Sequence, residues 1–326
     1  MRDGPVTAGY PGLNRRVLLG SLASACASGP AWARQEPDEA ELTALSVNLI
    51  TRMAALVSVN GTEPRPFVID TGAERTVVST ELAAMLALPA GPPSLIHGVT
   101  SFEIAPTVRV GRMAFAGRQF EDLVAPTFPL RALGAYGLVG LDVLSEYRLM
   151  VDFQRQGVFL EAVRPNFISM NPTDGLTGTR IRRASVRARQ GRFGQLLLPT
   201  EVEGIRIDAF VDSGSQYSIG NTALLDAIGR RTRSGDPQTI TRRILGVTGH
   251  ALEGVSHRVS DVRVANRRFG AADLVFSDLH IFAALGLERA PALLIGADIL
   301  CQFDSVTLDF ALSRVAFGAL RRRRTR

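Results

Sequence analysis

The sequence predicts an all-β protein of two lobes, formed by internal duplication of one unit around a pseudo-twofold axis. An acid, a hydroxyl residue and a glycine follow an apolar run twice, in FVIDTGAERTVVS at residues 67–79 and in AFVDSGSQYSIGN at residues 209–221. A short helix pattern and then a second glycine-acid element follow each phrase, first in LVGLDVL and later in LLIGADIL. Because motif type, order and approximate spacing are all repeated, the pattern indicates a duplicated supersecondary unit.

A predicted β-hairpin leads into each acid. Alternating apolar residues on both sides of a short turn are typical of hairpin strands, and Asn-Gly is a strong turn signal. The predicted hairpins are a strand at residues 54–59, the Asn60-Gly61 turn and a strand ending at Ile69, and then a strand at residues 196–202, the Glu203-Gly204 turn and a strand ending at Val211.

The segments that follow the acid motifs predict short helices with polar caps. Ser79 or Thr80 is the predicted cap of the first helix and Asn221 that of the second, because their side chains can accept from the first free amides. Asp142 and Asp298, in the later elements, are likewise expected to cap the helices that follow them.

The duplication divides the chain into six predicted segments. These are a signal peptide at residues 1–33, a linker at 34–43, an N-terminal lobe at 44–163, a connector at 164–190, a C-terminal lobe at 191–319 and a basic tail at 320–326. The basic stretch RIRRASVRARQGR around the end of the connector predicts an exposed edge strand and a turn, with charges that guard the edge against aggregation.

The first residues predict export. Arg15 and Arg16 precede an apolar stretch that ends in Ala31-Trp32-Ala33, which is the pattern of a cleaved signal peptide and resembles a twin-arginine signal. The stretch is too short and polar for a stable membrane span, so a periplasmic or secreted location is predicted. Cys26 leaves open the alternative of a lipid-anchored chain. Cleavage after Ala33 leaves only Cys301, so no intramolecular disulfide is predicted.

Composition excludes several classes of function. The 326 residues are 46% hydrophobic and 21% charged, as in a globular protein with an ample core. All 37 basic residues are arginine and the net charge is +6, but charge spread along the chain with 6% aromatic residues does not predict nucleic-acid binding. Neither zinc-type ligand spacing nor a G-x-S-x-G motif occurs, so no metal, no cofactor and no serine nucleophile are predicted. Solvated loop positions are predicted for His97, His250, His257 and His280.

Asp70 and Asp212 are the candidate catalytic residues. Equivalent strand ends related by a pseudo-twofold axis would lie side by side, where two carboxyls hold one proton between them and titrate as a pair. One carboxyl can then take a proton from a water while the other protonates a substrate carbonyl, which is what amide hydrolysis without a metal requires.

The residues next to the two acids are predicted to support them. A glycine is needed where the chain turns beside the acid and its amide points at the carboxylate. Thr71 and Ser213 can hydrogen-bond across the contact between the two halves. Ser215 has a hydroxyl that could donate to the second acid, whereas Ala73 has none, which predicts that the second acid is more often ionised and the first more often protonated. The predicted supporting residues are Thr71, Gly72, Ser213, Gly214 and Ser215.

The segment DTGAERTVVS resembles the active-site segment of retropepsin-type aspartic proteases, and the segments around Gly140 and Gly296 resemble the second element of that fold. With both halves on one chain, residues 57–317 resemble a pepsin-like, two-lobed acid protease assembled from retropepsin-like halves, as in exported bacterial aspartyl proteases. The resemblance implies that the catalytic pair of the family falls on Asp70 and Asp212.

The sequence departs from that family at identifiable positions. Leu141 and Ala297 stand where the retroviral enzymes carry arginine, so the ion-pair network of that family around Glu74 is not predicted. By position, the flaps over the cleft are assigned to residues 96–103 and 245–253, although neither has the tyrosine of a pepsin flap.

The resemblance implies an aspartic endopeptidase that hydrolyses peptide bonds of cell-envelope proteins. The substrate is expected to bind as an extended strand in the cleft between the lobes. Because one chain supplies both acids, a monomer is predicted. The alternative, from another class, is a noncatalytic peptide-binding module or scaffold on the same fold, which would have no need to keep two mutually repelling carboxyls.

Overall fold

The structure is a computed structural model that describes residues 43–48, 52–162, 185–232, 240–265 and 267–321. The predicted signal peptide, Cys26, almost all of the predicted linker, most of the predicted connector and the last five residues lie outside the described ranges. Within those ranges, no helix has both the length and the apolar character needed to cross a bilayer.

The N-terminal lobe consists of short helices set between β-strands. Its elements are β1 (Thr43–Asn48), β2 (Arg52–Val59), β3 (Arg65–Ile69), β4 (Val77–Ser79), α1 (Thr80–Met85), β5 (Ala90–His97), β6 (Phe102–Phe115), β7 (Arg118–Phe128), α2 (Leu130–Leu133), β8 (Gly137–Val139), α3 (Leu141–Leu144), β9 (Tyr147–Asp152) and β10 (Gly157–Ala162).

The second half of the chain begins with two short strands of the connector and then, from β13, repeats the order of elements that starts at β2. Its elements are β11 (Ser185–Arg187), β12 (Arg189–Gln190), β13 (Leu196–Val202), β14 (Ile205–Val211), β15 (Ile219–Gly220), α4 (Thr222–Thr232), β16 (Ile240–Leu245), β17 (Ala251–Val264), β18 (Arg267–Phe276), α5 (His280–Ala284), β19 (Ala292–Ile295), α6 (Ala297–Leu300), β20 (Ser305–Asp309) and β21 (Arg314–Phe317).

Both lobes have one sheet topology. The strand order β2-β3-β8-β4-β7-β6-β5 in the first lobe matches β13-β14-β19-β15-β18-β17-β16 in the second, and β2–β6 and β13–β17 pairings close each sheet on itself. The strand of the later element, β8 or β19, runs parallel to the strand that precedes the acid and antiparallel to the short strand after it. The structure is therefore an all-β, duplicated two-lobed fold, as the sequence predicts.

A further sheet joins the two lobes. Strand β9 of the first lobe pairs with β20 of the second in antiparallel register, with Met150 opposite Thr307 at the centre. Hairpin β9–β10 and hairpin β20–β21 extend this sheet to either side, with β1 and β11 next to them. Arg148 donates to a carboxylate oxygen of Asp309 from two guanidinium nitrogens, at 2.9 and 2.8 Å. Backbone pairing and an ion pair with two hydrogen bonds thus connect the two lobes.

Both predicted hairpin turns and the predicted caps at Ser79 and Asn221 are confirmed. Asn60 and Gly61 have φ values of 51° and 75°, and Glu203 and Gly204 have 49° and 71°, so both hairpins use the left-handed conformation at two successive residues. Ser79 accepts from the amide of Leu82 at the start of α1, and Asn221 accepts from that of Leu224 in α4. Strands β11 and β12, within the basic stretch of the connector, lie at the edges of their sheets as expected.

Apolar side chains of the closed sheets and the interlobe sheet form the core. A large cluster holds residues of both lobes, including Phe67, Phe153 and Phe310. Two smaller clusters lie closer to the cleft. We call the first the N-wall cluster (Val68, Val77, Ala105, Phe128, Leu133, Ala135 and Leu138) and the second the C-wall cluster (Leu197, Phe210, Ile219, Ile244, Val275, Leu279, Ile281, Phe282, Leu287, Ala292 and Leu294).

Candidate active site

Asp70 directly follows β3 and Asp212 directly follows β14, and both line the same cleft between the lobes. Each carboxyl packs against a glycine of the opposite lobe. A Cβ atom on Gly72 would overlap the carboxyl group of Asp212, and one on Gly214 would overlap that of Asp70. Only glycine therefore allows the two loops to come this close, and the fold brings together the two acids that the sequence singles out.

Backbone amides hold the two carboxyls in the same way. Oδ1 of Asp70 accepts from the amides of Gly72 and Ala73 at 2.9 and 3.0 Å. Oδ1 of Asp212 accepts from the amides of the two residues after Ser213, also at 2.9 and 3.0 Å. Each acid thus forms an Asx-type turn that fixes one carboxyl oxygen. Asp212 is 2% exposed, whereas Asp70 is partly exposed.

The side chain of Ser215 does not act as the sequence predicts. Its hydroxyl donates to the carbonyl of Tyr217 at 2.9 Å, and only its backbone amide reaches Asp212. A hydroxyl has one hydrogen to donate, so this contact removes the predicted hydrogen bond to the carboxylate. The prediction that the second acid is more often ionised than the first depended on that hydrogen bond, and among the described residues the structure does not contain it.

Two hydroxyl side chains cross between the lobes beneath the acids. Thr71 Oγ1 donates to the carbonyl of Val211 at 2.9 Å and accepts from the amide of Ser213 at 3.1 Å. Ser213 Oγ donates to the carbonyl of Ile69 at 2.7 Å and accepts from the amide of Thr71 at 3.1 Å. Both residues are 1% exposed. Four buried hydrogen bonds thus tie each acid-bearing loop to the strand end of the other lobe.

Asp142 and Asp298 hold the acid-bearing loops to the later elements. Asp142 accepts from the amide and hydroxyl of Thr76 at 2.8 and 2.7 Å, and Asp298 from those of Ser218 at 3.0 and 2.6 Å. The helix caps are glycines, so the predicted capping role of these acids is wrong. Burial raises the pKa of both carboxyls, although the hydrogen bonds they accept oppose that rise.

Two hairpin tips meet above the acids. The β5–β6 tip lies within residues 96–103 and the β16–β17 tip within residues 245–253, which we call the first and second flap. Ser101 and Thr248 are joined hydroxyl to hydroxyl at 2.6 Å, and Thr100 donates to the carbonyl of His250 at 3.1 Å. Each tip also crosses to the other lobe, because Val99 packs against the C-wall cluster and Val247 against the N-wall cluster.

The acids and flaps enclose a cleft of about 530 Å³. Its walls are mostly apolar, with Val77 and Leu138 on the first lobe and Ile219 and Ile281 on the second. Such a mainly apolar, concave space with a few convergent polar groups is typical of ligand sites. Across the described part of the chain, no three His, Cys, Asp or Glu side chains cluster as ligands for a metal ion.

A family model described as aspartyl protease matches residues 55–143 and 198–299, one region in each lobe and together more than half of the chain. The chain belongs to the aspartyl protease family. Among curated proteins, none matches the sequence. Among solved structures, a similar chain is conglutin gamma, a basic 7S globulin from lupine seeds, with 11% identity and a TM-score of 0.47 over 85% of this chain and 94% of that one.

In this aspartyl protease, Glu74 forms no ion pair within the described residues, and Leu141 stands in place of the arginine of the retroviral enzymes. Gln195 of the second lobe instead reaches the first acid-bearing loop and donates to the carbonyl of Gly72 at 3.1 Å. Gln195 directly precedes β13 and belongs to no recognisable sequence motif, so the sequence did not predict this contact.

A pair of histidines in this aspartyl protease joins the first flap to the second lobe. His97 Nδ1 and His280 Nε2 lie 3.0 Å apart, and the two rings stack with their planes 5° apart. Phe193 stacks on His97, and Phe102 lies at a tilt to both rings. The prediction of solvated loop histidines is therefore wrong for this pair. Burial, and secondarily the nearby His97, hold the pKa of His280 below its usual value.

Proposed function

We propose that this protein is an aspartic endopeptidase in which Asp70 and Asp212 share one proton and activate a water for hydrolysis of a peptide bond. The observation that carries the proposal is the reciprocal packing of the two carboxyls against Gly72 and Gly214 within one covered cleft. The buried hydroxyls of Thr71 and Ser213 fix the loops that carry the acids, and the two flaps cover the cleft.

The two acids can supply both proton transfers that the reaction needs. Backbone amides hold one oxygen, Oδ1, of each carboxyl in place, which fixes both groups at the cleft. The ionised carboxyl takes a proton from the water, whose oxygen adds to the peptide carbonyl carbon, while the protonated carboxyl gives its proton to the carbonyl oxygen. When the tetrahedral diol collapses, the C–N bond breaks and the carboxyl that took the proton of the water gives it to the amine nitrogen. The other carboxylate takes a proton from a diol hydroxyl, which restores the shared-proton state.

The flaps suggest how a substrate is held. An extended peptide between the flaps and the acids would place its side chains alternately toward the two walls, as in other strand-binding clefts. The apolar walls around Val77 and Ile219 suit apolar side chains next to the scissile bond. Extended, locally unfolded segments of proteins are therefore the proposed substrate class.

The export signal extends the proposal to cell-envelope proteins as substrates. We propose that the mature chain begins near Arg34 in the periplasm or outside the cell. N-terminal sequencing of the protein purified from its native compartment checks this proposal, and a chain that begins at a lipid-modified Cys26 would contradict it.

The decisive test is replacement of each acid by asparagine. We expect Asp70→Asn and Asp212→Asn each to lower kcat/KM on an unstructured protein substrate by about 10³-fold or more, because asparagine cannot share the proton. Asp226→Asn, an exposed acid on α4, is the matched control and keeps full activity. Thermal unfolding of all three variants verifies that they fold.

The noncatalytic alternative makes the opposite prediction for the same samples. A binding module would bind unstructured peptides without cleaving them, and its binding would not depend on which acid is replaced. Cleavage that persists undiminished in either asparagine variant would remove the pair of acids from the mechanism.

A further inference from the structure

Three arginines line the cleft. Outside the two catalytic candidates and His97, its acidic and basic lining residues are Glu74, Arg75, Arg131 and Arg243. Glu74 and Arg75 are neighbours in the chain and contribute opposite charges. The positive surplus in the cleft therefore rests on Arg131 of α2 and Arg243 of β16.

Arg131 and Arg243 come from different lobes, and both line the cleft. Leu133, two residues after Arg131, belongs to the N-wall cluster. Val247, four residues after Arg243 at the tip of the second flap, packs against that same cluster. The second flap therefore packs against the wall that carries Arg131.

The equivalent positions of the duplicated unit do not carry these charges. The flap phrases His97-Gly98-Val99-Thr100 and Leu245-Gly246-Val247-Thr248 align, so the position of Arg243 corresponds to Leu95 on the first flap. Helix α5, which follows β18 as α2 follows β7, contains no arginine and contributes Ile281 to the cleft. The two arginines therefore make the charge of the cleft lining asymmetric between the two repeats.

The nearest carboxylates do not neutralise the two arginines inside the cleft. Within the part of the chain that the structure describes, neither arginine forms an ion pair within 4.0 Å. Glu81, which Arg131 influences electrostatically, accepts from the amide of Leu130 at 2.8 Å and lies outside the cleft. Glu253 is opposite Arg243 in the β16–β17 register and likewise does not line the cleft.

We propose that this protease selects substrates that carry an acidic side chain near the scissile bond, held by Arg131 and Arg243. The inference rests on the proposed proteolytic function and specifies its substrate class. A guanidinium can bind a carboxylate through two parallel hydrogen bonds. Because both arginine side chains are exposed, each such pair contributes a small gain in binding free energy. A basic side chain near either arginine would face a like charge and be disfavoured.

The experiment uses the full mature chain and sets of peptides that differ at one position among Glu, Gln and Arg, scanned over four positions on each side of the scissile bond. We expect kcat/KM to follow Glu, then Gln, then Arg at one or two positions, with about a two- to fivefold gain from Gln to Glu for each arginine engaged. The gain shrinks when the salt concentration is raised.

Substitutions test the assignment to the two arginines. Arg131→Gln and Arg243→Gln each reduce the Glu-to-Gln ratio, the double variant brings it to about one, and Arg131→Lys retains most of it. Arg230→Gln, which removes an exposed arginine of α4 outside the cleft, leaves the ratio unchanged. Because the readout is a ratio measured on one sample, loss of stability in a variant does not imitate the result.

The outcomes separate this inference from the proposed function. Efficient cleavage of neutral peptides with no gain from glutamate, or a gain that survives in the double variant, overturns the acidic preference and leaves the protease intact. Failure to cleave any peptide overturns the proposed proteolytic function. In that case, binding of the Glu and Gln peptides to the wild-type chain still reports on recognition, and equal affinities reject the role of the arginines on independent grounds.

Discussion

The two lobes differ much less in the contacts that hold their acids than in the side chains that face the cleft. Each acid accepts from two following backbone amides at the same distances, and a hydroxyl residue after each acid reaches the opposite strand. Thr71 in one lobe and Ser213 in the other make the same hydrogen bonds to the opposite lobe. The additional methyl group of threonine is therefore not needed for these contacts. The duplicated unit retains the hydroxyl and the backbone geometry.

The cleft-facing positions have diverged. The loop after the first acid continues with Glu74 and Arg75, where the second has Gln216 and Tyr217. The first flap carries His97 where the second carries Leu245. The comparison indicates that positioning the carboxyls requires both halves to match, whereas binding an asymmetric peptide allows the two walls to differ.

Among the residues around the acids, Gly72 and Gly214 give the largest expected effect, and they test whether both lobes contribute equally to positioning the carboxyls. Gly72→Ala and Gly214→Ala each place a methyl group inside the carboxyl of the opposite lobe, so we expect activity to fall by about 100-fold or more in both. Gly229→Ala is the matched control, because a Cβ there meets nothing within 4 Å in α4 and alanine favours helix. A large loss in only one of the two glycine variants would show that the lobes do not contribute equally.

The hydroxyls of Thr71 and Ser213, which hydrogen-bond to the opposite lobe, are tested through the free energy of unfolding. Thr71→Val and Ser213→Ala each leave a buried amide and a buried carbonyl without their partner, so we expect the free energy of unfolding to fall by about 2–4 kcal/mol in each. Urea unfolding measures it. The exchanges Thr71→Ser and Ser213→Thr keep the hydroxyl and serve as controls, with losses of less than about 1 kcal/mol. Equal effects of the exchanges and the truncations would contradict the assigned hydrogen bonds.

The pair of His97 and His280 gives the smallest expected effect, which is a pH dependence of one flap. It tests a feature of the cleft that differs between the two lobes. The lowered pKa of His280 means that the closed first flap favours the neutral ring. This contribution to closure is present above the pKa of the open state and is lost as pH falls through the lowered value. We expect protonation below about pH 6.5 to loosen the first flap but not the second, where Leu245 replaces His97.

Hydrogen–deuterium exchange of residues 96–103 and 245–253, corrected for intrinsic rates, measures the difference, with the second flap as an internal reference. His280→Gln should remove the pH dependence of the first flap, because it removes the titrating ring. The surrounding groups are Phe102, Phe193 and the guanidinium of Arg192, which lies over the Phe193 ring. Parallel loosening of both flaps would locate the titration elsewhere.

Most local structure was predictable from the sequence, because it depends on neighbouring residues. The Asn60-Gly61 turn, the Ser79 cap and the strand ends before Asp70 and Asp212 follow from propensity and alternation within about ten residues. The duplication also made the meeting of the two acids predictable, since symmetry supplies the long-range information that a single motif lacks.

Contacts between distant segments could not be predicted in the same way. His97 and His280 are 183 residues apart, and their pairing depends on the first flap crossing to α5. The hydroxyl of Ser215 donates to the Tyr217 carbonyl rather than to the acid that the sequence suggested, and the conformation of the folded loop decides this. Sequence pattern specifies which groups are available, but packing of the lobes decides which of them meet.

The β9–β20 pairing in the interlobe sheet has a kinetic consequence. Two identical chains that each supplied one acid would have to find each other, and the fraction of complete sites would fall on dilution. In this chain the two halves are covalently linked, so β9 meets β20 at an effective concentration set by the connecting segment rather than by how much protein is present. Formation of the site is then a first-order event that dilution does not slow.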